Sequence, residues 1–182
     1  DNNATTRVDP AVVDAMLPFF TEHFGNASSI HAFGSEVGKA LKKARSQVQA
    51  LLGAEHDSEI IFTSCGTESD STAILSALKA QPDRNTVITT NVEHPAILTL
   101  CDWLEKEGYI VHKLKVDKKG RIDMDEYKSL LHERVAIVSV MWANNETGTI
   151  FPVEEMAALA SAKGIMFHTD AVQAVGKIPI DL

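Results

Sequence analysis

Short β-rich runs alternate with stretches of helical period along this chain, and that alternation constrains its fold more than any other feature. Residues 59–63, 86–90, 109–114, 135–140 and 165–169 are rich in Val, Ile, Phe and Thr. Several are apolar at consecutive positions, as strands buried on both faces are. Stretches at 67–80, 95–107, 123–132 and 152–163 carry apolar residues at helical spacing, and two more lie at 10–23 and 36–52. Pro95 and Pro152 suit the first turn of a helix, where a missing N–H costs nothing, and Gly108 and Gly164 suit helix ends. Five strands separated by helices predict an α/β fold, a mainly parallel sheet with helices on both faces.

Charge and cysteine usage narrow the function. The net charge of −8, from 17 basic and 25 acidic residues, argues against nucleic acid or an acidic membrane as partner, because both need a basic field. The basic run Lys39, Lys42, Lys43 and Arg45 falls at helical spacing and reads as a solvated face. No apolar run approaches the ~18 residues of a membrane span, and the first residues lack a secretory signal, so a cytoplasmic protein is expected. Cys65 and Cys101 are too few for a disulfide framework, and the seven histidines show no metal-ligand spacing. A start at Asp1 without Met and a stop at Leu182 read as cuts within a longer protein.

In a parallel sheet the ligand lies at the carboxyl ends of the strands, so the loops that follow the strands carry the functional reading. Ser64-Cys65-Gly66-Thr67-Glu68-Ser69 joins a strand run to a helix run through a small residue and hydroxyls, the recipe for an anion site on free helix amides. Capping by Thr67 or Ser69 is the plain alternative. His94, before Pro95, could stack on a ligand ring or move a proton, or simply cap its helix. Asp170 ends an apolar strand and needs a cationic partner if buried, such as a protonated cofactor ring nitrogen, and Gln173 can face the same side. Asp170 could instead cap the next helix, and Asn144 and Asn145 could be turn residues. Cys65 stands where a helix N-terminus would stabilise a thiolate, but the tight turn around it argues against a catalytic thiol. His168 reads as structural.

Six blocks in order then carry a family resemblance. They are Asp1-Asn2-Asn3-Ala4-Thr5-Thr6, Phe24-Gly25-Asn26-Ala27-Ser28-Ser29-Ile30-His31, Phe62-Thr63-Ser64-Cys65-Gly66-Thr67-Glu68-Ser69, Glu93-His94-Pro95, Asn144-Asn145-Glu146-Thr147-Gly148, and His168-Thr169-Asp170-Ala171-Val172-Gln173 continuing to Asp181. Together they resemble the cysteine desulfurases of the nitrogen-fixation (NifS) type. These are class-V aminotransferase relatives with the pyridoxal-phosphate fold type I of aspartate aminotransferase, and the chain resembles the N-terminal half.

The resemblance implies pyridoxal 5'-phosphate as cofactor. Gly66 and Thr67 would bind its phosphate, His94 would stack on the ring and assist proton transfer, Asp170 would pair with the ring nitrogen, and Gln173 would contact the ring hydroxyl oxygen. Asn145 would lie near that oxygen and the substrate carboxylate. It implies removal of sulfur from L-cysteine, leaving L-alanine and an enzyme persulfide that feeds an iron–sulfur scaffold protein for nitrogenase cluster assembly, by a homodimer. It divides the chain into an N-terminal segment and helix at 1–35 and a cofactor-binding large domain at 36–182 that continues further. The triplets Asn-x-Ser/Thr at Asn3, Asn26 and Asn145 then read as turn and active-site asparagines.

Ala27 stands where the family usually has proline. The Schiff-base lysine and the persulfide cysteine belong to blocks beyond Leu182, and Lys177, Cys65 and Cys101 do not match those positions. The chain alone is therefore expected to be inactive. The alternatives are another fold-type-I lyase, such as a selenocysteine lyase, and a non-catalytic scaffold or dimerising fragment.

Overall fold

The computed structural model of the chain describes residues 2–180, apart from the side chain of Phe33. It divides into two compact units, residues 2–62 with 178–180, and Thr63–Lys177.

The first unit is helical. Helix α1 spans Pro10–Met16, with the Asp9 carboxylate accepting from the Ala11 N–H at 2.8 Å and Pro10 in its first turn. The predicted helix at 10–23 is interrupted at Leu17, because Pro18 cannot donate a backbone hydrogen bond and opens a separate short helix, α2, at Pro18–Thr21. Helix α3, Ala32–Leu52, starts four residues before the predicted 36 and stops at Gly53, whose left-handed φ of 75° lets its N–H reach the Gln49 carbonyl.

The first turn of α3 lies against the loop before it, where only a glycine fits. A Cβ on Gly34 would stand 2.5 Å from the Asn26 carbonyl oxygen and 2.6 Å from that of Ser29. Both obstacles are backbone, so Gly34→Ala is expected to destabilise the full-length protein by about 2 kcal/mol, as overpacking does. Denaturant unfolding measures this, and an unchanged midpoint would contradict the packing described.

The strand predicted at 59–63 is absent. A 3-10 turn occupies Asp57–Glu59, and the chain continues as irregular structure with Ile61 and Phe62 exposed. No strand lies beside it among the described residues, so its backbone has no ladder to join. The Arg45 guanidinium instead donates to the Ile60 carbonyl and stacks 5.0 Å over the Phe62 ring.

The second unit holds a four-stranded parallel sheet ordered β2-β1-β3-β4. Its strands are β1 Thr86–Thr90, β2 Ile110–Leu114, β3 Val135–Ser139 and β4 Met166–His168, all within predicted runs. Helices α4 Gly66–Ala80, α5 Pro95–Lys106, α6 Met124–Leu130 and α7 Val153–Ser161 lie within a residue or two of expectation at most ends. Register aligns Val111, Val87 and Ile137 across one face. There Val87 and Ile137 pack with Ile74, Ala77 and Leu78 of α4 and Ile97, Cys101 and Leu104 of α5. Ile88 and Val138 point the other way and are equally buried. Right-handed crossovers run outward from β1 to β2 but in the opposite sense from β2 to β3 and from β3 to β4, which puts α6 and α7 on the face opposite α5. The Tyr127 hydroxyl joins these two helices by donating to the Met156 carbonyl at 2.7 Å.

Strand order reverses between β1 and β3. The loops leaving their carboxyl ends therefore part company and open a crevice.

Candidate active site

Four loops meet the requirement of lying at strand carboxyl ends or at a helix start. The first enters α4, which begins at Gly66 after an N-cap at Cys65, so Thr67 and Glu68 lie inside the first turn. Capping by Thr67 or Ser69 is not what the structure has. No side-chain bond caps α4, and the Ser69 hydroxyl instead lies 2.6 Å from that of Thr63. Glu68 folds back to accept from the Ser64 N–H at 2.7 Å and the Ser64 hydroxyl at 2.6 Å. The opening amides of α4 have no carbonyl partners within the helix. Their field reaches Cys65: the Glu68 amide first, then the Ser64 hydroxyl and the Thr67 amide, hold this exposed thiol below its ordinary pKa. A Cβ on Gly66 would meet only Val172 Cγ2, at 3.9 Å, so the turn is open to an approaching group and stands beside the loop after β4.

The second loop follows β1. His94 caps α5, its Nδ1 accepting from the Ala96 N–H at 3.2 Å, and its ring is exposed. The capping reading of this histidine is what the structure has, and the cap fixes one edge of the ring and leaves Nε2 to carry the proton of the neutral form. Glu93, only 5% exposed, accepts from the Thr90 hydroxyl at 2.7 Å and from the Met141 N–H at 3.1 and 3.0 Å. Burial above all raises its pKa to about 7, against the Thr90 and Met141 hydrogen bonds and with help from the charges of Asp170 and Asp70.

The third loop leaves β3 and separates two asparagines that look alike in sequence. Asn144 is buried and holds the turn together, whereas Asn145 is half-buried with its amide 3.3 Å from Glu146 Oε1.

The fourth follows β4. Half-buried Asp170 accepts the Val172 N–H on Oδ1 at 3.0 Å, and its carbonyl accepts the Trp142 N–H at 2.9 Å. The carboxylate therefore does cap the next turn, through one oxygen only. Gln173 lies in that turn, its Oε1 taking a bond from Lys177 Nζ at 2.5 Å.

Behind Asp170 stands a residue to which the sequence reading gave no role. Asp70, on the core-facing side of α4, is 6% exposed. Burial first, then the charge of Asp170, lift its pKa to about 6, with His94 pulling the other way. His168 places Nε2 at 3.6 Å from Asp70 Oδ1 and Nδ1 at 2.9 Å from the Ser139 hydroxyl. Burial lowers its pKa, only partly offset by Asp170, which keeps it a weak counter-charge. Asp170 has no ion pair among the described residues. The charges of Asp70, Glu93 and Asp170 thus act on one another, and of the three only Asp170 is half-exposed, with one carboxyl oxygen outside its single hydrogen bond.

The residues present fit pyridoxal phosphate, the cofactor that the resemblance implies. A protonated ring nitrogen would complete Asp170, and a phosphate suits the open amides at Gly66 and Thr67. No group of three or more His, Cys, Asp or Glu side chains could hold a metal ion among the described residues. Asp70 had one signal in the sequence, an acid on the apolar face it shares with Ile74, Ala77 and Leu78. Glu93 had none beyond its neighbour His94.

The class-V aminotransferase family model matches residues 1–182, and the chain belongs to that family. Within it the chain is similar to the cysteine desulfurases. It is 78% identical over 182 residues to cysteine desulfurase NifS of Azotobacter vinelandii, and 71% identical to the cysteine desulfurase of Azotobacter chroococcum mcd 1, in each case over all of this chain and 45% of the relative. Among solved structures, a NifS-like protein superposes with a TM-score of 0.95 at 41% identity, covering all of this chain and 50% of that one. SspA in complex with cysteine gives 0.94 at 33% identity, covering all of this chain and 52% of that one. The chain thus spans about half the length of the relatives it matches, and its parallel α/β fold corresponds to half of these fold-type-I structures.

Proposed function

We propose that the chain is the cofactor-binding part of a pyridoxal-phosphate-dependent cysteine desulfurase, which converts L-cysteine to L-alanine and leaves the sulfur as an enzyme persulfide. The observation that carries this reading is Asp170, a half-buried carboxylate with no cation, held at the crevice of a chain 78% identical to a cysteine desulfurase. The solved relative described as being in complex with cysteine supports the choice of substrate.

When bound, the cofactor supplies an electron-accepting ring. Asp170 would keep the ring nitrogen protonated through Oδ2, since Oδ1 is committed to the Val172 N–H. Gly66 and Thr67 would hold the phosphate on their amides, and Gln173 the ring hydroxyl oxygen. His94 would cover the ring and move a proton at Nε2, because Nδ1 is occupied by the Ala96 N–H. Asn145 would orient that oxygen and the substrate carboxylate.

The lysine that anchors the cofactor and the cysteine that receives sulfur are proposed to come from the portion of the family fold that this chain does not span, so residues 1–182 alone make no alanine. Cys101 is fully buried with its thiol pushed up to about 11, which disfavours a role as nucleophile. Residues 1–35 are proposed to form an N-terminal segment and helix, and 36–182 the first part of a cofactor-binding large domain that continues in the parent protein.

We further assign the sulfur to an iron–sulfur scaffold protein for nitrogenase cluster assembly, in the cytoplasm. No helix of the described residues is long and apolar enough to cross a membrane. A homodimer is supported by α1 and α2, which bury none of their side chains and expose Val12, Val13, Met16, Phe19 and Phe20. The test is product analysis. The full-length protein with pyridoxal phosphate, L-cysteine and a thiol reductant should give alanine and sulfide in equal amounts. A protein that acts on L-selenocysteine but leaves L-cysteine untouched would sink the reading.

A further inference from the structure

We infer that Glu93 and Asn144 are positioning residues, a two-way brace across the crevice that sets where His94 and Asn145 stand. This rests on reading those two residues as cofactor and substrate contacts.

The crevice lies between β1 and β3, where strand order reverses. The strands pair in register through Val87 and Ile137 and then Ile88 and Val138, after which their loops diverge. Two buried side chains span the gap in opposite directions. Glu93 belongs to the loop after β1 and takes the Met141 N–H on both carboxyl oxygens, at 3.1 and 3.0 Å. Asn144 belongs to the loop after β3 and donates from Nδ2 to the Val92 carbonyl at 3.1 Å.

Each anchor is itself fixed within its own loop. The Thr90 hydroxyl donates to Glu93 at 2.7 Å. Asn144 Oδ1 accepts the Glu146 N–H, the Thr147 N–H and the Thr147 hydroxyl at 3.0, 2.9 and 3.1 Å. The remaining Asn144 amide hydrogen points to Met141 Sδ at 3.3 Å. At 5% and 7% exposure, neither side chain can exchange these partners for water without opening the crevice.

The residue directly after each anchor is one assigned to the chemistry. His94 follows Glu93, and Asn145 follows Asn144. A shift of about 1 Å at such groups can cost ~100-fold in rate, so a brace one residue away acts on catalysis without touching substrate.

Three variants of the full-length, cofactor-loaded protein separate this from plain structural support. N144D keeps the Oδ1 acceptor that folds the loop but replaces the donor to Val92 with a carboxylate oxygen. E93A removes the acceptor for Met141, and E93Q keeps one. N144D and E93A are expected to lower kcat for alanine formation by ~10-fold or more, with a smaller change in KM, and E93Q to recover most of the E93A loss. The visible circular-dichroism band of the bound cofactor should fall in N144D and E93A and return in E93Q. In the cofactor-free protein, hydrogen exchange of the 141–149 amides should accelerate in N144D. The double variant E93A/N144D should lose less than the two single losses combined, since both cut one brace.

N144D with wild-type kcat, dichroism and exchange would overturn the inference. So would E93Q behaving as E93A does, and if E93A does not fold, N144D and E93Q alone decide. A wild-type protein that shows no visible cofactor band fails the proposed function instead, and the exchange measurement then still reads the brace.

Discussion

Replacing Asp170 with asparagine in the full-length protein is expected to lower alanine formation from L-cysteine by ~100-fold or more, the scale on which a preorganised charge acts in a water-poor site. Asparagine has the same shape and keeps an acceptor for the Val172 N–H, so the turn that carries Gln173 is retained. The substitution removes the negative charge that balances a cationic ring nitrogen. The neighbours are not placed to replace it, because the Glu93 carboxylate is committed to the Thr90 hydroxyl and the Met141 N–H and Asp70 faces His168. Removing Asp170 also lifts a repulsion, since its charge is one cause of the raised pKa of both Asp70 and Glu93. The variant should therefore fold at least as well as the wild type while losing turnover. A variant that turns over at the wild-type rate would remove Asp170 from the mechanism.

The second large effect is on stability. Between pH 4.5 and 8 the cofactor-free wild type is expected to lose about 3 kcal/mol relative to Glu93→Gln. Glu93 has a folded pKa of about 7 against 4.5 for the free side chain, so the native state holds a proton that the unfolded state releases. Its contribution is complete below the unfolded value and disappears as pH rises through 7. Asp70, raised to about 6, acts in the same direction. His168 opposes them, because burial lowers its pKa and stability from that source grows with pH up to its unfolded value of about 6.5. Asp117, held near 2 by the Arg121 amide and guanidinium, has finished titrating below this window. Comparing wild type with E93Q by denaturant unfolding at several pH values cancels these other groups. Parallel curves would show that Glu93 is ionised throughout and that its burial is not the dominant force on it.

Much of this was legible before any coordinates. The strands at 86–90, 110–114 and 135–139 announce themselves by adjacent Val, Ile or Thr, that at 166–168 by its place in the apolar run from Ile165 to Phe167, and Pro95 marks the start of α5. The run at 59–63 has the same composition and still forms no strand, because a strand also needs a neighbour and composition does not supply one. The break at Leu17 was written in Pro18 but outweighed by the helical period around it. Gly66, His94 and Asp170 could be singled out because their chemistry follows from their place at a strand end or helix start. Glu93 could not, and Asp70 only as an acid on an apolar helix face, since what matters about both is that helices and strands distant in sequence bury their carboxyls. The division of labour between Asn144 and Asn145 is likewise a tertiary fact, fixed by a Val92 carbonyl fifty-two residues away.

The exposed Cys65 carries a different lesson. One of the two amides that lower its pKa, that of Thr67, is also proposed for the cofactor phosphate, so its nucleophilic character and phosphate binding compete for that donor. Loading the cofactor should therefore slow alkylation of Cys65 by iodoacetamide several-fold, as read by mass spectrometry. Equal rates with and without cofactor would separate the phosphate site from α4.

The most direct test of the account follows both halves of the substrate at once. The full-length, cofactor-loaded protein is mixed with L-cysteine labelled in its sulfur, without reductant, then desalted and assayed for products. The account predicts one alanine for each labelled sulfur retained on the protein, released by dithiothreitol and absent in Asp170→Asn. Pyruvate and ammonia in place of alanine, or label release that does not depend on Asp170, would contradict it.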